Sequence, residues 1–172
     1  MDAIINEYKK HGVDNFYRLH GNDYENPHRD IVENIIMEAK SKWNIQGNVL
    51  DLCCGSGEVS NVLKDCDVEG LDPYTSELYE KNTNNNCIEM TFKDIVCRGL
   101  EKRYDNVICS YALHLCERSM LPILLYRISE VSDNLFVITP HKKPDCDGEF
   151  FKEKERMKRE RTTIIWYESR IA

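Results

Sequence analysis

The sequence predicts an α/β protein built on a doubly wound parallel sheet, and it predicts a single domain. From residue 48 onward, short apolar runs of strand length alternate with segments of helix length, which is the pattern of parallel βα units. The chain has 172 residues with no internal repeat and no Gly/Ser linker, which suits one domain. We therefore expect a single domain over 1–172, with a helical extension or lid in 1–47 and the core in 48–172.

Two helices are predicted before the core. "DAIINEYKKH" places Ile4, Ile5 and Tyr8 on one helical face. A second helix follows a turn-rich stretch, with Asn26 as its N-cap and Pro27 at its first position. Apolar residues then recur at helical spacing, namely Ile31, Val32, Ile35, Ile36, Ala39 and Trp43.

The core alternates strands and helices in chain order. Strands are predicted in "NVLDLCC", "DVEGLD", "CIEMTFKD", "YDNVICSYAL", "NLFVITP" and "TTIIWYESRI", and helices in "EVSNVLKDC", "TSELYEKN" and near 119–131. Residues 141–161 carry eight basic and six acidic side chains, a net charge of +2. We interpret this segment as a solvated helix of mixed charge rather than an RNA-binding stripe.

Composition narrows the class of protein. The chain is 41% hydrophobic and 31% charged, which is typical of a soluble globular protein. Its apolar runs are too short for a membrane span, and its first residues lack the apolar core of a signal peptide. The net charge of −7 gives no indication of RNA binding by the surface as a whole. We expect a cytoplasmic protein that does not bind membranes.

The eight cysteines are predicted to be reduced thiols. Disulfides are rare in a reducing compartment. The cysteines form no C-x-x-C pair and lie near no H-x-x-x-H, so no metal site is predicted. Cys53 and Cys54 are neighbours in "VLDLCCGSG", and the residues around them give the clearest functional signal.

This stretch predicts a ligand site, because a strand that ends in a Gly-rich turn and opens a helix places its turn at the carboxyl edge of the sheet. Asp72 lies 21 positions beyond Asp51, where an acidic residue can accept hydrogen bonds from ribose hydroxyls. A dinucleotide reader requires a third glycine in G-x-G-x-x-G, but Ser60 stands there, and Glu58 would lie beside the phosphates. The turn therefore favours a ligand with ribose and positive charge over NAD.

Four ordered motifs resemble the class I S-adenosylmethionine-dependent methyltransferases. They are "VLDLCCGSGE", "GLDPY", "FKDI" and "YDNVICSYALHL", and the resemblance spans roughly residues 27–171. It implies a Rossmann-like, mostly parallel, seven-stranded sheet and S-adenosylmethionine as cofactor, with S-adenosylhomocysteine as product. It also implies that Cys53 and Cys54 fill variable slots for small residues.

The resemblance assigns donor-site roles residue by residue. Asp51 and Gly55 would hold the methionine end, Gly57 would pass beneath the ribose, and Asp72 would accept from its hydroxyls. Asp94 and Ile95 would meet the adenine, while Cys109, Ser110 and Tyr111 would line the pocket below the methyl group. The complete predicted donor set is Asp51, Cys53, Gly55, Gly57, Asp72, Pro73, Tyr74, Asp94, Ile95, Cys109 and Tyr111. Each residue also has a structural alternative; Asp94, for example, could cap the segment that follows it.

The sequence does not decide which of three candidates is the catalytic residue. His114 follows the fourth strand and His141 the fifth, and histidine titrates in the range useful for a general base. Tyr111 is the third candidate. A loop histidine can equally be a hydrogen-bonded structural group.

The segment before the core is a candidate lid over the donor. Its ring and amide side chains can either cover the ligand or pack the extension onto the sheet. The lid and substrate candidates are Tyr17, Arg18, Tyr24, Asn26 and His28.

The function predicted from these residues is methyl transfer to an unidentified acceptor, whether a small molecule, a tRNA or a protein. "CSYALHL" replaces the Asn/Asp-Pro-Pro-Tyr/Phe motif of many amide and base-amino methyltransferases, which disfavours those acceptors. The alternative function is a catalytically silent subunit with this fold that supports a partner protein. NAD-dependent redox chemistry is a third hypothesis.

Overall fold

The computed structural model describes Gly12, Arg18 and residues 25–171. Within 25–171 the chain forms five α-helices, a short 3-10 turn (Leu113–Leu115) and seven strands. The helices are α1 (Arg29–Trp43), α2 (Glu58–Val62), α3 (Ser76–Thr83), α4 (Phe92–Arg98) and α5 (Leu121–Val131). The strands are β1 (Asn48–Leu52), β2 (Asp67–Leu71), β3 (Cys87–Ile88), β4 (Tyr104–Ser110), β5 (Ser132–Thr139), β6 (Phe151–Arg159) and β7 (Thr162–Ser169).

The strands form one seven-stranded sheet in the order β3-β2-β1-β4-β5-β7-β6. Strands β1 to β5 pair in parallel, whereas β7 runs antiparallel to β5 and β6 antiparallel to β7. The predicted mostly parallel, doubly wound sheet is therefore confirmed. The order reverses between β1 and β4, and such a switch point opens a crevice at the carboxyl ends of the strands.

Apolar side chains on the two faces of the sheet build two cores. Val49 and Ile108 pack with α1 and α2 on one face, while Leu50 and Val107 pack with α4 and α5 on the other. This division follows from the period of two along each strand. A third, small cluster joins Cys54, Tyr79 and Cys87.

The start of α1 differs from the prediction. His28, not Asn26, is the N-cap, and the helix begins at Arg29. The Asn26 side chain instead accepts a hydrogen bond from the His28 N–H at 2.9 Å. Asn26 and Pro27 thus form a turn ahead of the helix.

The third strand is much shorter than predicted. Only Cys87–Ile88 pair with β2, and Phe92–Arg98 form α4. Thr91 caps this helix through a capping box with Asp94, a local interaction that outweighs the strand tendency of "CIEMTFKD".

The helix predicted within 141–161 is wrong, because Phe151–Arg159 form β6. Phe151 and Met157 are buried, and exposed residues alternate with less exposed ones between them. The lysines and glutamates that suggested a solvated helix therefore follow the period of two of an edge strand, where charged side chains oppose further pairing. In the part of the chain that is described, none of the helices has the length and apolar character needed to cross a membrane.

Candidate functional site at the carboxyl edge of the sheet

A cleft of about 270 Å³ opens at the carboxyl ends of β1, β2 and β4. We call it the central cleft. Its lining comes from the carboxyl ends of these strands and the segments that follow them, from the start of α4 and the loop before it, and from Asn26 ahead of α1. The lining residues are Asn26, Asp51, Cys53, Cys54, Gly55, Glu58, Val59, Leu71, Asp72, Pro73, Tyr74, Met90, Thr91, Phe92, Ser110, Tyr111, Ala112 and Leu115.

The Gly-rich turn after β1 needs left-handed backbone at several positions. Cys53, Gly55 and Gly57 have φ angles of 58°, 54° and 96°, a region that glycine adopts at low cost. A Cβ at Gly57 would lie 2.4 Å from Cγ2 of Thr83 in α3. Gly57 therefore lets α3 pack against the turn, and it is not among the lining residues of the central cleft.

Asp51 is the most deeply buried acidic group of the central cleft. Its Oδ2 accepts a hydrogen bond from the Ser60 hydroxyl at 2.7 Å, and the Ser60 and Tyr79 hydroxyl oxygens are also 2.7 Å apart. Burial raises the pKa of Asp51 well above its ordinary value, although the bond from Ser60 opposes this. The chain Tyr79–Ser60–Asp51 fixes the carboxyl group at the end of β1.

Asp72 organises the loops around the cleft. Its Oδ2 accepts from the Gly55 N–H at 3.3 Å, and its Oδ1 accepts from the N–H groups of Tyr74 and Thr75 at 2.9 and 3.1 Å. Burial raises the pKa of Asp72 despite these bonds. Pro73 and Tyr74 follow it along the wall of the cleft.

Glu58 also lines the cleft, although the sequence motifs indicate it only as a charge that opposes the phosphates of NAD. It is the first residue of α2, and the Ser56 hydroxyl donates to its Oε1. Asp51, Glu58 and Asp72 are only 1%, 6% and 9% exposed. The described lining of the cleft contains these three acidic residues and no Lys, Arg or His.

The structure does not bring Asp94 or Ile95 into the central cleft. The Asp94 carboxylate accepts from the Thr91 N–H at 2.9 Å, and Arg98 lies 3.5 Å from it. Ile95 is fully buried in the core. Met90, Thr91 and Phe92 line the cleft instead. The Thr-x-x-Asp spacing in the sequence indicates the capping box in which Asp94 is used.

The end of β4 contributes Ser110, Tyr111 and Ala112 to the lining, whereas Cys109 lies in the core. The Ser110 hydroxyl is buried and has no hydrogen-bond partner in the described part of the chain. Tyr111 has a φ of 54°, and its hydroxyl hydrogen-bonds to Thr162. A buried polar group without a partner is costly, so Ser110 marks a point where a ligand can supply the missing bond.

The two histidine candidates lie in a different cleft. His114 and His141 have ring centroids 4.5 Å apart, inclined at 58°. They line a second cleft with Arg118, Lys142 and Lys143, which we call the histidine cleft. Burial, followed by the nearby His141, lowers the pKa of His114. Of the catalytic candidates, only Tyr111 lines the central cleft.

The lid candidates divide between described and undescribed residues. Asn26 lines the central cleft, and the His28 ring stacks on Tyr111 with centroids 4.5 Å apart. Arg18 is exposed. Tyr17 and Tyr24 lie outside the described residues, so their predicted role stays a prediction.

Comparison with known proteins identifies the fold and one relative. No protein-family model matches the chain. An uncharacterized protein of Schizosaccharomyces pombe is 30% identical, and the match covers 81% of this chain and 75% of that protein. This identity and coverage are sufficient to place the two chains in one family.

Solved structures give the architecture. The N-methyltransferase NodS of Bradyrhizobium japonicum, in complex with S-adenosylhomocysteine, matches with a TM-score of 0.66 at 9% identity, over 85% of this chain and 89% of NodS. The magnesium protoporphyrin IX methyltransferase ChlM of Synechocystis, with bound S-adenosylmethionine, matches with a TM-score of 0.63 at 16% identity, over 97% and 96% of the two chains. The chain therefore belongs to the family of the fission yeast protein and has the Rossmann-like fold of class I S-adenosylmethionine-dependent methyltransferases.

Proposed function

We propose that the chain is an S-adenosylmethionine-dependent methyltransferase whose donor site is the central cleft. One observation carries the proposal: Asp51, Glu58 and Asp72 are buried at one cleft that has no basic side chain in its described lining. Buried carboxylates are costly without a cation. A ligand with an ammonium and a sulfonium group supplies that charge.

The lining residues fit the parts of such a donor. Asp51 and Glu58 would take the amino end, and Asp72 would accept from ribose hydroxyls. Tyr74, which follows β2, and Phe92, the first residue of α4, offer aromatic surface to the cleft. Ser110 offers an unused hydroxyl next to Tyr111.

S-adenosylmethionine supplies a methyl group on a positively charged sulfur. The chain contributes by holding the donor in one orientation and excluding water from the cleft. The acceptor is a small molecule, a tRNA or a protein. No base is assigned, because a base is required only when the attacking atom carries a proton at neutral pH.

Two other functions predict different ligands. NAD requires room for a pyrophosphate at the start of α2, but Glu58 occupies the first position of that helix, and its charge opposes phosphate. A silent subunit has no need of a donor site, yet the acidic residues here converge on a cleft. Binding of the methyl donor therefore distinguishes the proposed methyltransferase from an NAD-dependent enzyme and from a silent subunit.

Calorimetric titration with S-adenosylhomocysteine tests the proposal. It compares variants of two aspartates, one that directly follows β2 and one that begins it. Asp72→Asn should weaken binding by about 1–3 kcal/mol, because a charged acceptor of ribose hydroxyls is lost. Asp67→Asn is the control, since Asp67 is the exposed residue at the opposite end of the strand. Equal affinity in the two variants would remove Asp72 from the donor site.

A further inference from the structure

The histidine cleft is large and lies at the same edge of the sheet as the central cleft. Its volume is about 790 Å³, and it is bounded by the segment after β4 and the segment after β5. The lining residues are Leu113, His114, Cys116, Arg118, Leu121, His141, Lys142, Lys143, Pro144 and Asp145.

One short segment separates the two clefts. Ser110, Tyr111, Ala112 and Leu115 line the central cleft, whereas Leu113, His114 and Cys116 line the histidine cleft. The 3-10 turn Leu113–Leu115 is therefore a wall that both clefts share. A molecule in the histidine cleft would lie beside the proposed donor site, which is the position that an acceptor needs.

The charge of the histidine cleft is opposite to that of the central cleft. Arg118, Lys142 and Lys143 stand against one carboxylate, Asp145. All three cations are exposed, and none takes part in the ion pairs found among the described residues. Such a concentration of cations is unexpected in a chain with a net charge of −7.

The histidine pair adds donors to this basic surface. The rings of His114 and His141 are inclined at 58° with centroids 4.5 Å apart, so one anion can contact both imidazoles. An anion beside the rings would accept hydrogen bonds from their N–H groups.

We propose that the histidine cleft is the acceptor subsite and that it binds an acceptor through a phosphate or carboxylate group. Two sets of side chains act on the anion, since Arg118, Lys142 and Lys143 attract it, while His114 and His141 donate hydrogen bonds to it. The inference that the bound molecule is a methyl acceptor rests on the proposed function, whereas anion binding at this cleft does not.

Nuclear magnetic resonance of the full chain tests the proposal with pyrophosphate and citrate as the phosphate and carboxylate probes. Ionic strength is held constant with sodium chloride. At least one probe should saturably shift the imidazole signals of His114 and His141. The double variant Lys142→Gln/Lys143→Gln should weaken that binding about tenfold or more, because two charged contacts are lost. Lys93→Gln/Lys152→Gln removes the same charge from exposed lysines outside the cleft and should retain the affinity.

Different results would contradict the anion subsite and the proposed function. Imidazole signals that respond to neither probe, or affinity lost equally in the two double variants, would overturn the anion subsite. S-adenosylhomocysteine should bind Lys142→Gln/Lys143→Gln as it binds the unaltered chain. If the unaltered chain binds an anion probe but not S-adenosylhomocysteine, the proposed function fails while the anion site stands.

Discussion

The buried acidic residues of the central cleft reduce the stability of the ligand-free protein, and they suit the binding of a positively charged ligand. Asp51 and Asp72 are almost fully buried, and burial raises the pKa of both carboxyl groups. Hydrogen bonds from Ser60 to Asp51, and from backbone N–H groups to Asp72, offset part of that cost. The remaining cost is typical of residues arranged for a ligand rather than for the stability of the fold.

Asp51→Asn should stabilise the ligand-free protein at neutral pH and weaken donor binding. Burial raises the pKa of Asp51 in the folded state, so the folded chain holds this proton more tightly than the unfolded chain. Ionisation therefore reduces the free energy of unfolding as pH rises from the unfolded pKa, about 3.9, through the folded value. Asparagine has no carboxyl group to ionise, so the variant keeps the free energy of unfolding that the ionisation of Asp51 removes.

Urea unfolding at several pH values checks this prediction, with Asp67→Asn as the exposed control. Stability of Asp51→Asn should exceed that of the unaltered chain more at high pH than at low pH. A constant difference across the range would mean that the charge of Asp51 carries no cost in the folded state.

Cys53 needs a small side chain for a backbone reason that the sequence does not show. Its φ of 58° lies in the left-handed region, where a β-branched residue is strongly disfavoured. Cys53→Ala should fold and retain affinity for S-adenosylhomocysteine. Cys53→Val should lose roughly 1–2 kcal/mol of stability through backbone strain. Thermal unfolding of the two variants gives the comparison, and equal melting temperatures would argue against strain at this turn.

The ends of the strands set the positions of several residues that the sequence assigns to the donor site. Asp51, Gly55, Asp72 and Tyr74 all line the central cleft, because the carboxyl ends of neighbouring parallel strands meet at one edge. Asp94 does not, since its carboxylate is used in the cap of α4. Competition between a local hydrogen bond and a ligand cannot be resolved from residue type alone.

Among the elements, β6 shows why charge patterns mislead. Its lysines and glutamates suggested a helix, but Phe151 and Met157 anchor it as an edge strand beside β7. Arg159 forms a two-pronged contact with Glu38 of α1, with its Nη2 2.6 Å from Oε1 and its Nε 2.9 Å from Oε2. A local sequence pattern does not show contacts of this kind, because they join residues that are far apart in the chain.

The packing of α3 on β2 depends on Gly70. A Cβ at this position would lie 2.5 Å from two ring carbons of Tyr79 and 2.9 Å from the Cys54 sulfur. Gly70→Ala should therefore displace Tyr79, disturb the Tyr79–Ser60–Asp51 chain and destabilise the fold by about 1–3 kcal/mol.

Gly148→Ala is the matched control for this change, because a Cβ there meets nothing within 4 Å. Denaturant midpoints and donor affinity should both fall for Gly70→Ala and stay near the unaltered values for Gly148→Ala. If Gly70→Ala retains both, the close contact with Tyr79 does not hold Asp51 in place.

For the whole molecule, the main feature is the separation of charge between two adjacent clefts. The central cleft is acidic and the histidine cleft is basic, with the turn Leu113–Leu115 between them. The alternation of elements in the sequence predicted the parallel sheet and the edge at which the central cleft opens. The net charge of −7 concealed the basic cleft, because Arg118 joins Lys142 and Lys143 only through the fold. The division into an extension over 1–47 and a core over 48–172 stays a prediction.

The most direct test of the proposed donor site is a map of backbone amide shifts on addition of S-adenosylhomocysteine, with NAD as the comparison ligand. We predict saturable shifts at the turns that line the central cleft, with Gly55, Tyr74, Thr91 and Tyr111 as reporters, and none of comparable size with NAD. Shifts centred on 141–145, equal shifts with NAD, or no saturable shift at the four reporters would contradict the assignment of the donor site to this cleft.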